Sequence, residues 1–368
     1  MIDERLLKNE ERAVYALRTL YRQYGYQAYK MSKFEAYDLY VRNKDFLISD
    51  RIITFNDTDG KLMALKPDVT LSIIKNGEDR PGGYQKVYYN ENVYRVSGST
   101  RQFKEIMQAG LECIGDLDGY DIFEVVRLAA ESLAVVSDDF VLDVSHLGIL
   151  TALLEEISED AQLRREIAHY IAEKNTHDLE RLCRQSGVSE EKTAAICSFV
   201  GIYGDMDSVV ERLRPLCGGE AARAALRALE QLRDLLKETP YADRISFDFS
   251  IVNDMDYYNG IVFQGFLSGI CESVLSGGQY DKLMEKMGRS GGAIGFALYL
   301  DLLEGLEKQA RDYDVDVLLV YDGGMDSARV AAEVARLTRE GKSVSAQKVI
   351  PDKLRFRQLL DLRKEARG

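Results

Sequence analysis

Residues 86–115, KVYYNENVYRVSGSTRQFKEIMQAGLECIG, constrain the fold more than any other stretch of this chain. Val87, Tyr88 and Tyr89 open an extended segment that runs through Val93 and Tyr94 to Arg95. Ser97, Gly98, Ser99 and Thr100 supply turn chemistry. A second extended segment then alternates, with Met107, Ala109, Leu111 and Cys113 on one face and Gln108, Gly110, Glu112 and Ile114 on the other. Gln108 and Glu112 therefore share a strand face, four residues apart. That face has two readings: a solvated polar surface, or a pair of hydrogen-bonding groups that grips a small polar ligand.

Composition narrows the class. A chain of 368 residues is long enough for two or three domains and a sizeable core. A formal net charge of −13 argues against a surface that grips nucleic acid broadly. The N-terminus, MIDERLLKNEER, is charged from its third residue and is no secretory signal. No apolar run is long enough to span a bilayer. The five cysteines form no CxxC pair, and three histidines lie away from them, which excludes an obvious zinc site. Together these features suggest a reducing, cytoplasmic setting.

Residues 3–28 read as an amphipathic helix, with Leu7, Val14, Leu17 and Leu20 or Tyr21 on one face and Gly25 at its end. RIITF, NDTDG and KLMAL, residues 51–65, read as a hairpin. In KPDVT, Lys66 to Thr70, Asp68 is either a helix cap or a ligand-binding acid. Tyr120–Val136 reads as a helix and FVLDVS as a strand. From about 151 to 240 the texture becomes helical and mixed in charge, with 12 basic and 17 acidic residues over 152–240. Strands resume at Ile245, and Gly277 and Gly278 allow either close approach of a ligand or a tight bend. From Asp314 a strand, a helix and a second strand form a βαβ unit. The tail from Lys342 to Gly368, with eight Lys or Arg against three acids, reads as a solvated helix, the alternative being a docking surface for an acidic partner.

An arginine ending a strand, a loop with Arg101-Gln102-Phe103, and Gln-x-Gly-x-Glu at 108–112 resemble motif two of the class II aminoacyl-tRNA synthetases, in the form of histidyl-tRNA synthetase. The resemblance implies an α+β fold, an antiparallel sheet flanked by helices. Its expected parts are a synthetase-like core over 1–150 and 241–310, a helical insertion over 151–240, and a short α/β unit over 311–368. Tyr26–Val41 would take the place of the dimer-forming motif one, without its proline. The resemblance also places Asp68, Thr70, Arg95, Gln108, Glu112, Tyr257 and Tyr258 where the family binds histidine. Two cations of the activation chemistry are absent. Asn253 replaces the arginine of the histidine-specific loop, with Asp254 beside it, and Gly295–Leu298 matches the motif-three run Gly-Leu-Glu-Arg with leucine at its end.

A recognition half retained and a catalytic half erased is the pattern of the ATP phosphoribosyltransferase regulatory subunits, which are similar to histidyl-tRNA synthetase. That likeness implies no catalytic residue, no cofactor and no metal. It implies a short-form catalytic subunit as partner, histidine as effector, a homodimer within a hetero-oligomer, and neither nucleic acid nor membrane. A working synthetase and a free-standing histidine sensor are the alternatives.

Overall fold

The computed structural model describes residues 8–43, 52–77, 83–96, 102–252, 255, 257–305 and 313–365. The chain forms two compact units, the first ending at Leu306 and the second starting at Glu307.

Helix α1 (Asn9–Gln23) buries Ala13, Leu17 and Tyr21, and Gly25, at φ +83°, ends its last turn. Leu17 and Tyr21 of the expected face are buried, and Val14 and Leu20 pack partly covered against the same core. Leu7 lies outside the described residues. After β1 (Gln27–Ala28) come β2 (Phe34–Ala36), α2 (Tyr37–Arg42), β3 (Thr54–Asn56) and β4 (Leu62–Leu65). The expected hairpin is β3–β4, and β2 joins it on the other side of β4. In its turn the Asp57 carboxylate accepts from the Asp59 and Lys61 N–H groups at 2.9 and 2.8 Å. Helix α3 (Thr70–Asn76) follows directly.

The long strands β5 (Gln85–Val96) and β6 (Phe103–Gly115) pair antiparallel from Gln85↔Ile114 to Val96↔Phe103. Helix α4 (Gly119–Val136) begins where Asp118 accepts from the Tyr120 and Asp121 amides, and Asp121 reaches back to the Asp118 N–H. Next come β7 (Phe140–His146) and the helices α5 (Leu147–Ile157), α6 (Ala161–Ala172), α7 (Thr176–Gln185) and α8 (Glu190–Phe199). Asp160, Asn175 and Ser189 cap the last three through side-chain oxygens. The short β8 (Tyr203–Gly204), α9 (Met206–Leu213) and α10 (Glu220–Lys237) complete the helical region. The unit closes with β9 (Ile245–Asp248), β10 (Ile261–Leu267), β11 (Leu275–Gln279), α11 (Asp281–Lys286) and β12 (Gly292–Tyr299).

One nine-stranded sheet, β1-β5-β6-β12-β11-β10-β7-β9-β8, runs through this unit. It is antiparallel except where β1 joins β5 and β7 joins β9. With α1, α4 and the helical region it forms the α+β architecture expected. Period-two geometry divides the central strands. Ala109, Leu111 and Cys113 of β6, with Ile294, Phe296 and Leu298 of β12, enter the main core together with residues of α1 and α4. Gln108 and Glu112, and Gly295 and Ala297 beside them, face the other way.

The second unit is a parallel sheet, β14-β13-β15, of β13 (Val315–Val320), β14 (Val344–Gln347) and β15 (Phe356–Asp361), with α12 (Ser327–Arg339) between β13 and β14. The βαβ unit is present, but the reading of the tail as one solvated helix is overturned. Phe356–Asp361 pairs along β13, because sheet completion there outweighs the local charge of the segment. Among the described residues no helix is long and apolar enough to cross a membrane, and no His, Cys, Asp or Glu group is arranged to hold a metal ion.

Candidate functional site

A cavity of about 720 Å³ opens on the sheet face that carries Gln108 and Glu112. Asp68, Thr70, Arg95, Gln108, Glu112, Tyr257 and Tyr258 all line it. Gln108 and Glu112 project from β6 and Arg95 from the end of β5, whereas Asp68 lies on the loop between β4 and α3 and Thr70 on the first residue of α3. That loop is fixed at three points. Buried Lys66 pairs with Glu91 at 2.6 Å, the Tyr94 N–H donates to the Lys66 carbonyl at 2.9 Å, and Arg95 Nε donates to the Pro67 carbonyl at 2.8 Å. Arg95 is thus a strut for the loop as well as a lining cation.

Asp68 is a helix cap and a lining acid at once. Its Oδ1 accepts from the Leu71 N–H at 2.8 Å, at the start of α3. Burial raises its pKa, against the Leu71 amide and nearby Arg95, which lower it. Glu112 is 2% exposed and already partnered. Thr70 Oγ1 donates to its Oε1 at 2.7 Å, and the Tyr280 hydroxyl donates to Oε2 at 2.5 Å. Burial nevertheless pushes the carboxyl up to about 8, the two hydrogen bonds opposing it and the charge of Asp68 adding to it. At neutral pH the group is therefore mostly protonated. Tyr257 and Tyr258 meet edge to face, with ring centroids 4.6 Å apart, and form an aromatic wall.

Tyr280 and Tyr89 join this deep end, and the sequence motifs point to neither. Burial holds both hydroxyls well above the ordinary tyrosine pKa, so they remain protonated donors. The Tyr89 hydroxyl donates to the Phe296 carbonyl at 3.3 Å. The hint lies in the glycines. A Cβ at Gly110 would meet the Tyr89 hydroxyl at 2.6 Å, and one at Gly295 would collide with the Glu112 carboxyl. At Gly278, expected to allow either ligand approach or a tight bend, the residue lies inside β11, and a Cβ there would meet the Ile261 carbonyl at 2.7 Å, so close strand packing gives the glycine a reason of its own.

One expectation about the missing cations needs revision. Leu298 is not a lining residue. It is fully buried on the core face, paired with Leu275 and Ala109, whereas its neighbours Ala297 and Tyr299 line the cavity. Tyr299-Leu300-Asp301-Leu302 fits Gly-Leu-Glu-Arg better, keeping the leucine and an acid, and again ends in leucine. Asn253 and Asp254 lie outside the described residues.

The outer part of the cavity has no counterpart among the sequence expectations. Helix α6 turns a whole stripe to it, Ala161, Arg164, Arg165, Ala168, His169 and Ala172, and Lys282 of α11 also lines it.

Replacing Gly295 by alanine should test the deep geometry. The added methyl has no room beside Glu112, so overpacking should cost about 1–3 kcal/mol in urea denaturation and displace the carboxyl. Unchanged stability would mean that the Glu112 carboxyl does not rest on this glycine.

A family model for histidyl-tRNA synthetase matches residues 2–303. A protein of Oceanobacillus iheyensis named ATP phosphoribosyltransferase regulatory subunit is 29% identical over 283 residues, 76% of this chain and 69% of that protein. The fold is similar to that of an ATP phosphoribosyltransferase regulatory subunit/histidyl-tRNA synthetase from Bacillus halodurans, with a TM-score of 0.78 and 21% identity over 96% of this chain and 93% of the other. It is also similar to a chain of the ATP phosphoribosyl transferase (HisG:HisZ) complex from Thermotoga maritima, at a TM-score of 0.63 and 19% identity, covering 79% and 97%. The matched residues 2–303 take in the whole nine-stranded sheet and every wall of the cavity, and the chain belongs to the histidyl-tRNA synthetase family.

Proposed function

We propose that this chain is a non-catalytic regulatory subunit of ATP phosphoribosyltransferase. On this reading it activates a short-form catalytic subunit at the first step of histidine biosynthesis and helps to confer feedback inhibition by histidine. The observation that carries the reading is the division of one cavity. Its deep end gathers acids, an amide and aromatic hydroxyls suited to an amino acid, while the run from Gly292 to Leu303 supplies no arginine for nucleotide activation. The relatives named ATP phosphoribosyltransferase regulatory subunit support the same role.

Histidine would lie with its ammonium toward Asp68 and Gln108 and its imidazole toward Glu112, between Tyr257, Tyr258 and Tyr280. Thr70 and Arg95 hold the acids in place. The assembly is a cytoplasmic hetero-oligomer containing a homodimer of this chain. Adding the purified chain to a weakly active short-form catalytic subunit should give a joint peak on a sizing column. It should also raise the rate at least about tenfold, as a coupling of about 1.4 kcal/mol would. Separate peaks and an unchanged rate would leave the chain a free-standing sensor at most. A working synthetase is the second reading, favoured by Arg164, Arg165 and Lys282 in the same cavity.

A further inference from the structure

The cavity is larger than one amino acid fills, and its two ends differ in chemistry. The deep end is formed by buried groups, among them Asp68, Gln108, Glu112 and Tyr280. The outer end is formed by exposed Arg165, His169 and Lys282 with half-buried Arg164. The lining also holds neutral polar side chains. Ser276 and Tyr299 share a hydroxyl hydrogen bond of 2.8 Å, and Gln264 and Ser273 have no side-chain hydrogen bond to any described residue.

We propose that this outer half is a second ligand site, which takes a sugar phosphate beside the amino acid, its phosphate held by Arg164 and Arg165 of α6 with Lys282 and its hydroxyls read by Gln264, Ser273, Ser276 and Tyr299. The proposal rests on the regulatory reading only for the identity of the deep ligand.

Three features support it. Arg164 is anchored, because its Nη1 donates to the Ser158 and Glu159 carbonyls at 3.0 and 3.2 Å, and this fixes the guanidinium at the wall. Arg165 and Lys282 have no ion-pair partner among the described residues, so both cations are available to an incoming anion. A planar guanidinium suits a phosphate's oxygens through parallel N–H groups. Finally, the lining cations are Arg95, Arg164, Arg165 and Lys282 against the acids Asp68, Glu112 and Glu155, in a chain whose net charge is −13. Positive charge has been concentrated here against the overall balance.

A polynucleotide fits less well. Glu166 and Glu173, which do not line the cavity, lie next to lining residues of the α6 stripe in the chain and would repel a continuous phosphate backbone, whereas a single phosphate can enter the cavity. The consequence for regulation is direct. A ligand bridging α6 and the sheet floor would link the helical region to the amino-acid pocket, and the two ligands would alter each other's affinity by the same factor.

Calorimetry on the full chain with ribose 5-phosphate, at constant ionic strength, tests the site. Saturable binding is expected, weakened at least about tenfold in Arg165→Glu, since hydrogen bonds to charged groups are lost and a like charge is introduced. Arg164→Lys, which keeps the charge and loses the planar fork, should weaken it as well. Histidine affinity should stay unchanged in Arg165→Glu. Glu112→Gln should still bind ribose 5-phosphate in the absence of histidine, so a failure of the deep site would not be mistaken for a failure of this one. The proposal is overturned by absence of binding, by equal binding of ribose or of sulfate alone, or by affinity unaltered in both arginine variants. Arg165-dependent capture of an acceptor-stem RNA helix, with no response to ribose 5-phosphate, would overturn it equally.

Discussion

Supplied with histidine, ATP and magnesium, the purified chain should exchange pyrophosphate into ATP at no more than the background rate. Forming an adenylate concentrates negative charge around the α-phosphate, and the rate depends on cations already fixed where that charge develops. Arg95 is fixed, through the Pro67 carbonyl. Position 253 is asparagine, and the motif-three run ends in leucine in either register, at 298 or at 302. Each lost donor costs about 2.7–4 kcal/mol in the transition state, so two losses correspond to roughly four orders of magnitude or more. Of the other lining cations, Arg165 of α6 and Lys282 of α11 are exposed and have no ion-pair partner among the described residues, and a charge that must be organised during the reaction stabilises little. Arg164 is fixed, but by the Ser158 and Glu159 carbonyls at the helical wall rather than on the sheet floor. Exchange at a synthetase-like rate would show that Arg164, Arg165 and Lys282 had replaced the family's arginines, and the regulatory reading would fall.

Part of this site is legible in the amino-acid sequence alone, for a definable reason. Strands β5 and β6 alternate so strictly that Gln108 and Glu112 must share a face, and both line the cavity. Asp68, Thr70, Tyr257 and Tyr258 follow from likeness to a family; the residues alone favour a cap for Asp68, and its Oδ1 does cap α3. Motif three shows the limit. A pattern of glycine and leucine fits residues 295–298 by letter, but the pairing Leu298↔Ala109 points Leu298 into the core, and sequence carries no label for inside and outside. Tyr280 gives no local signal because its partner Glu112 is 168 residues away in the chain. The α6 stripe is hidden by composition, since a mixed-charge helix looks solvated until its Arg164–Arg165 face is found against a cavity. In the second unit, the charged residues of Phe356–Asp361 conceal a strand whose pairing is entirely tertiary.

Replacing Glu112 by glutamine should weaken histidine binding about 10- to 100-fold and remove most of its pH dependence between about 6 and 8. With the pocket free, burial holds the Glu112 carboxyl at about 8, so at neutral pH it is mostly protonated. Histidine brings a positive ammonium and an imidazole N–H into this enclosed space, and both favour the ionised carboxylate. Binding should thus expel a fraction of a proton at neutral pH, and affinity should rise as pH approaches about 8. The charge-assisted bond formed is worth about 1.5–3 kcal/mol, which sets the size of the loss. Glutamine is close in size and still accepts from Thr70, so the variant should fold. The linkage to stability has the opposite sign. A carboxyl whose folded pKa is raised binds more protons when native than when unfolded, so its contribution is complete below about 4.5 and is lost as pH rises through about 8. The free protein should therefore become less stable over that window, and Glu112→Gln should flatten the decline. Calorimetry of histidine binding in buffers of different ionisation enthalpy measures the proton directly. Identical affinity in both proteins, or no proton released by the wild type, would remove Glu112 from histidine recognition and move any regulatory histidine to another surface.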